Sequence, residues 1–259
     1  MPKNIIYCWS GTGNSLFDAK GIAARLEGET HILPMRGAVA KDADTVGFVF
    51  PTYYWTIPAP VEEFIREAEL PGGAYYYAVA TCGAIPGNAL AELNALLEEK
   101  GLALSYHAVH LHVANYGTIY EPFPDPARRV PQAAERLVPI AADIAARRVM
   151  APPRRRVPRF FQRFFHAATS WGDYGKSYDK GYHISVACVS CGLCERLCAV
   201  KNITMEQGRP VFHHNCEHCM ACIQYCPQKA VNYKNATQKR SRYHHPSVPA
   251  AELEKLLDA

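Results

Sequence analysis

The chain has 259 residues, 49 % of them hydrophobic and 20 % charged, and a formal net charge of +4. That is apolar material for packed cores, which excludes a disordered chain, and no run approaches the ~18 apolar residues of a membrane span. Residues 144–172 hold seven arginines and no acid, so the basicity is a local patch on an otherwise mildly acidic chain.

The first 150 residues alternate strand and helix signals. Asn4–Trp9 is a short apolar run, and Ser15–Glu27 carries Leu16, Ala19, Ile22, Ala23 and Leu26 at helical spacing. His31–Pro34 is a weak strand, and Thr45–Phe50 a β-branched and aromatic one. Pro60–Glu69 opens with proline in a first helical turn. Tyr75–Thr81 reads as a buried strand, Asn88–Lys100 as a leucine-bearing helix, Leu102–Val113 as a long strand and Pro131–Arg148 as an alanine-rich helix. Continuous apolar strands between helices mean a parallel sheet covered on both faces, so a five-stranded doubly wound α/β domain is expected over residues 1–148.

Residues 149–180 break the pattern with Pro152, Pro153 and Pro158, the arginines, and Phe160, Phe161, Phe164 and Phe165. They read as a linker with one short amphipathic helix over Val157–Phe165. That helix either fixes the hinge between domains or docks on a membrane surface or an acidic redox partner. The arginine patch lacks any recognition motif, which argues against nucleic acid. Tyr182–Val186 leads into a cysteine-rich region, so a small α+β domain is expected over 181–235. A basic tail over 236–259 ends in the helix signal Ala250–Leu257.

Two constellations carry chemistry. The first is Ser10-Gly11-Thr12-Gly13-Asn14-Ser15, between the first strand and the first helix. Backbone N–H groups at a helix N-terminus hold phosphate. The dinucleotide fingerprint would need glycine where Leu16 stands, and the nucleoside-triphosphate loop would need Gly-Lys-Ser/Thr; both are absent. A run of neutral hydroxyl and amide side chains with paired glycines, and no lysine or arginine, resembles the FMN-phosphate loop of flavodoxins.

The strand order 2-1-3-4-5 of that fold places two further loops beside the cofactor, after strands 3 and 4. They contain Thr52, Tyr53, Tyr54 and Trp55, and Thr81, Cys82, Gly83, Gly87 and Asn88. The aromatics could stack on a flavin ring or pack on the sheet, and the glycines could admit backbone to the ring edge. Cys82 reads as a small packing residue, with no cationic neighbour evident, and Cys8 as a core residue.

The second constellation holds eight of the ten cysteines: Cys188-x2-Cys191-x2-Cys194-x3-Cys198, then Cys216-x2-Cys219-x2-Cys222-x3-Cys226-Pro227. In a reducing compartment such a cluster means metal ligation and not disulfides. Zinc ribbons use separated C-x2-C pairs, whereas three cysteines at successive x2 spacing make the bacterial [4Fe–4S] run, here present twice. One cluster would use Cys188, Cys191, Cys194 and Cys226, the other Cys216, Cys219, Cys222 and Cys198. His213, His214 and His218 read as exposed loop residues.

The whole chain resembles the EFR-type flavodoxin–ferredoxin fusion family. The motifs are Ser10–Ser15, Pro51–Pro58, Pro86–Leu90, Asn115-Tyr116, both cysteine quartets and Arg242-Tyr243-His244-His245-Pro246. The resemblance implies a flavodoxin-like domain, a two-cluster ferredoxin-like domain, FMN, and electron transfer for a partner oxidoreductase. The alternative is a flavin-dependent reductase of a small molecule, in a pocket walled by Tyr54, Trp55, Asn115, Tyr116 and Tyr120. No acid–base pair stands out, so no catalytic residue is assigned. A signal peptide is not evident, so a cytoplasmic protein is expected. If the two domains lie far apart, a homodimer or hinge motion must join them.

Overall fold

The apolar runs fold as strands of one sheet in a computed structural model, which describes residues 3–37, 41–158, 160 and 176–259. In chain order they are β1 (Lys3–Cys8), β2 (Glu29–Pro34), β3 (Thr45–Pro51), β4 (Tyr75–Cys82) and β5 (Tyr106–Leu111). Every pairing is parallel, in the order β2-β1-β3-β4-β5. This is the flavodoxin-type doubly wound order, with its switch point between β1 and β3. The central strands are buried along almost their whole length, as a sheet covered on both faces requires.

Alternation along the strands sends side chains to two cores. Ile5, Tyr7, Phe48, Phe50 and Tyr76 pack with α2 (Ala59–Glu67) and α3 (Ala89–Glu98). Ile6, Cys8, Val49, Tyr77 and Val79 pack with α1 (Asn14–Ala23) and α4 (Pro126–Ala145). The last helix starts five residues before the expected Pro131. Asp125 caps it by accepting from the Ala127 amide at 3.1 Å, and Pro126 takes the first turn. Pro131 and Pro139 are carried inside the helix.

The cysteine region forms two short antiparallel ladders. β6 (Tyr182–Ile184) pairs with β9 (Val231–Tyr233), and β7 (Ile203–Glu206) with β8 (Arg209–Phe212) through a turn at Gln207 and Gly208. Each cysteine loop enters a four-residue helix, α5 (Leu193–Arg196) or α6 (Ala221–Gln224). The repeat extends to the backbone. Ser190 and His218, Gly192 and Met220, and Lys201 and Lys229 occupy matching places in the two halves, and all six have positive φ.

The tail docks on the first unit. Leu253, Leu256 and Leu257 of α7 (Ala250–Asp258) join the same core as α1 and α4, together with Leu197, Ala221 and Tyr225 of the cysteine region. Lys20 pairs with Glu252. The Val157–Phe165 helix falls mainly outside the described residues. Among the described residues, no helix is long and apolar enough to cross a membrane.

Candidate functional site

The C-terminal ends of β1, β3, β4 and β5 open into a cavity of about 380 Å³. Its floor is the loop before α1. Ser10, Gly11, Thr12, Asn14 and Ser15 all line it. Gly13, at φ 91, makes the left-handed turn that starts the helix. The Ser10 hydroxyl accepts from the Gly13 amide at 3.2 Å and the Leu16 amide at 3.4 Å, which closes the loop on itself. Ser15 Oγ and Thr81 Oγ1 lie 2.8 Å apart, joining this loop to β4. α1 has no acidic residue in its first turn, and Gly13 offers no capping side chain. The positive end of the helix dipole therefore faces the loop without a built-in anion.

The aromatic wall is built under strain. Tyr53 and Thr56 exchange backbone hydrogen bonds of 3.1 and 2.9 Å, leaving Tyr54 and Trp55 as the centre of a two-residue turn. Both have positive φ, 50 and 69. Bulky residues rarely adopt this conformation, and it is held here because Trp55 is clamped from behind. The Asn88 amide donates to the Trp55 carbonyl at 2.8 Å, and a Cβ on Gly87 would collide with Trp55. Tyr53, Tyr54 and Trp55 line the cavity with Thr52.

Thr81, Cys82 and Gly83 complete the wall from the β4 side, and Asn115, Tyr116 and Tyr120 from the segment after β5. The five residues expected to wall a substrate pocket thus meet in one cavity. Burial pushes the Cys82 thiol up to about 11, outweighing the nearby Arg156 and Arg129 guanidinium groups. It is a neutral packing group at neutral pH, although cationic neighbours exist where none was evident in sequence. Cys8 is buried in β1, and its thiol is raised further still.

Three of the fifteen expected cofactor residues do other work. Gly13 faces Tyr225, His245 and Val248 rather than the cavity. Gly87 makes room for Trp55. The Asn88 side chain accepts from the Arg156 and Val157 amides at 2.8 and 2.9 Å and donates to the Val157 carbonyl at 2.8 Å. It anchors the linker. Gly83 does line the cavity, yet its missing Cβ makes room for Ala114.

Sequence reasoning did not anticipate Cys219 in this wall. Its carbonyl lies where a Cβ on Gly11 would be, so the cysteine loop presses directly on the loop before α1. Nor did it place His218, which is 5 % exposed and not a surface residue. Tyr54 Oη lies 2.6 Å and Tyr116 Oη 3.2 Å from His218 Nδ1, and Tyr178 packs on the imidazole with centroids 4.4 Å apart. His213 and His214 are exposed, as expected. Among the described residues, no carboxylate, ammonium, guanidinium or imidazole lines the cavity.

The cysteines sort into two groups. Cys188, Cys191, Cys194 and Cys226 surround one small cavity of about 20 Å³. Cys198 lies close enough to Cys216, Cys219 and Cys222 of the other repeat to help raise each of their thiols, after burial. Sulfur accepts backbone hydrogen bonds at matching places: Asn202 N to Cys198 Sγ at 3.1 Å and Ala230 N to Cys226 Sγ at 3.2 Å. Burial raises the Cys194 thiol to about 11 and the Cys219 thiol to about 12, so neither ionises unaided at neutral pH. Among the described residues, no three cysteine sulfurs lie within 4.8 Å of one another.

No protein-family model and no curated protein matches the chain. Three solved structures illustrate its likenesses. An archaeal flavodoxin is 19 % identical over 56 % of this chain and 97 % of its own, with a TM-score of 0.41. The flavodoxin of Streptococcus pneumonia TIGR4 is 18 % identical over the same shares, with a TM-score of 0.40. An FMN-dependent NADH-azoreductase from Bacillus anthracis is 12 % identical over 56 % of this chain and 100 % of its own, also at 0.40. The fold assignment rests on the strand order and not on these scores.

Proposed function

We propose that this chain is a flavo-iron–sulfur electron-transfer protein, with FMN in the cavity and two [4Fe–4S] clusters in the cysteine loops. The observation that carries the reading is Cys219, which belongs to a cysteine quartet and also forms part of the cavity wall. FMN exchanges one or two electrons and each cluster one, so together they link two-electron and one-electron carriers.

The residues present fit these groups. Gly11, Thr12, Asn14 and Ser15 would hold the phosphate through neutral donors and the N-terminus of α1. Tyr54 and Trp55, which line the cavity, would flank a planar ring. Cys188, Cys191, Cys194 and Cys226 would hold one cluster, and Cys198, Cys216, Cys219 and Cys222 the other. The amides of Asn202 and Ala230 donate to ligand sulfurs, a contact that tunes cluster potential. The wall of uncharged residues orients and shields a cofactor and supplies no strong acid or base.

Cavity and cysteine loop touch within one chain, so no homodimer is needed to join them. Electrons would leave to a redox partner protein, and a cytoplasmic setting fits cysteines that would ligate metal and not pair as disulfides. One observation favours the second reading, direct reduction of a small molecule. Ile85, Ile119 and Phe123 line the cavity and remain 57, 46 and 46 % exposed, an apolar rim suited to an uncharged acceptor.

Anaerobic purification with metal analysis and flavin release tests the central reading. About eight irons and one FMN per chain are expected. Zinc in place of iron, or no flavin, overturns it. Turnover of a small molecule by the reduced protein, with no second protein present, would select the reductase reading.

A further inference from the structure

Asp18, His110 and His112 meet in the interior and belong to neither constellation. Asp18 lies early in α1, His110 in β5, and His112 just before the cavity-lining Val113. Their exposures are 0, 1 and 1 %. His110 Nδ1 lies 2.7 Å from Asp18 Oδ2, His112 Nε2 2.9 Å from Asp18 Oδ1, and the two nitrogens 3.1 Å from each other. On its other side, His110 Nε2 is 3.0 Å from the Ala133 carbonyl.

A proton inventory exposes a conflict. The carbonyl can only accept, so His110 Nε2 carries a proton. Each Asp18 oxygen faces one ring nitrogen, Oδ2 the Nδ1 of His110 and Oδ1 the Nε2 of His112. Protons on both inward-facing nitrogens then bond each ring to Asp18 and oppose two N–H groups at 3.1 Å. Removing either proton sets that nitrogen's lone pair against the carboxylate. A single cation shared by Asp18, His110 Nδ1 and His112 Nε2 satisfies the three inward-facing groups, while His112 Nδ1 stays buried without a partner.

The geometry points to a divalent transition-metal site of the zinc class, held by Asp18, His110 Nδ1 and His112 Nε2. Tetrahedral ligands at ~2.0–2.1 Å stand roughly 3.3–3.4 Å apart, so these three atoms, now 2.7–3.1 Å apart, would open by a few tenths of an ångström around the ion. The His110 Nε2–H bond to a backbone carbonyl is the outer contact that fixes the tautomer of metal-bound imidazoles. Asp18 turns both oxygens inward, and His245 lies just beyond the group. Its Nε2 is buried without a partner, and its ring centre is 6.1 Å from that of His112. Closed on all sides, the site is structural and ties α1 to the end of β5. The site does not depend on FMN or iron.

The test uses the full chain loaded with iron, sulfide and FMN, dialysed against Zn²⁺, desalted and analysed for zinc. One zinc per chain is expected, falling at least tenfold in Asp18→Asn with iron and flavin unchanged. X-ray absorption at the zinc edge should show a nitrogen and oxygen shell at about 2.0–2.1 Å. This second measurement decides alone if Asp18→Asn does not fold. No retained zinc, zinc equally retained by a folded Asp18→Asn protein, or a sulfur shell near 2.3 Å overturns the site. The first of these results would leave a proton-bridged ion pair.

Discussion

Gly11 is a point of close backbone approach between the two units, because the Cys219 carbonyl fills the space a side chain would need. Replacing it with alanine forces backbone against backbone, at a cost of about 1–3 kcal/mol. Gly11→Ala is expected to lower the denaturation midpoint accordingly. Gly72 has open space around it, so Gly72→Ala should stay within about 1 kcal/mol of the parent. Equal midpoints for the two variants would remove the close approach. Tyr54 and Trp55 show a different residue-scale economy. Each spends on the order of 1–2 kcal/mol in a left-handed conformation to aim a large ring. A backbone chosen for stability alone would place glycine or asparagine there.

At the scale of elements, α7 is a structural member of the first unit and not a loose tail. Leu253 is fully buried in the core shared with α1 and α4. Leu253→Ala should cost about 2–5 kcal/mol, read by thermal or chemical unfolding. A loss below 1 kcal/mol would mean that α7 detaches freely. The sheet itself was legible in the sequence, because β-branched and aromatic runs spaced by amphipathic helices carry local periodicity. The start of α4 was misplaced because Pro131 imitates a first-turn proline while Asp125-Pro126 supplies the true one. The docking of α7 was not legible, since the burial of Leu253 in a core shared with distant segments leaves no local pattern. The burial of His218 was hidden for the same reason: its neighbours Tyr54, Tyr116 and Tyr178 come from distant segments. In the candidate site, the loop before α1 was readable from composition. The roles of Gly87 and Asn88 were not, because both serve the backbone of Trp55 and Asn88 also holds the linker.

At the scale of the whole molecule, the units are joined by polar bonds as well as packing. Gln224 of α6 donates to the Asn115 carbonyl at 2.6 Å and accepts from the Tyr243 amide at 2.8 Å. One side chain thus links cysteine loop, cavity wall and tail. If the cysteine loops take their shape from iron, losing it should disturb the cavity through Cys219 and Gln224. Anaerobic chelation of iron is therefore expected to weaken flavin retention at least tenfold, measured by fluorescence of released FMN. Unchanged retention would show that the two units are mechanically independent.

The segment over the loop before α1 has a consequence for how the protein is made. Tyr243 Oη donates to Asn14 at 2.9 Å and the His245 amide donates to the Thr12 carbonyl at 2.8 Å, the first across 229 positions of chain. At a synthesis rate of ~5–20 residues per second, about 10–45 s separate the loop from its cover. During that interval the nascent loop lacks the partners that hold its shape. A ribosome that stalls before residue 243 yields a product in which Asn14 and Thr12 lack these two partners.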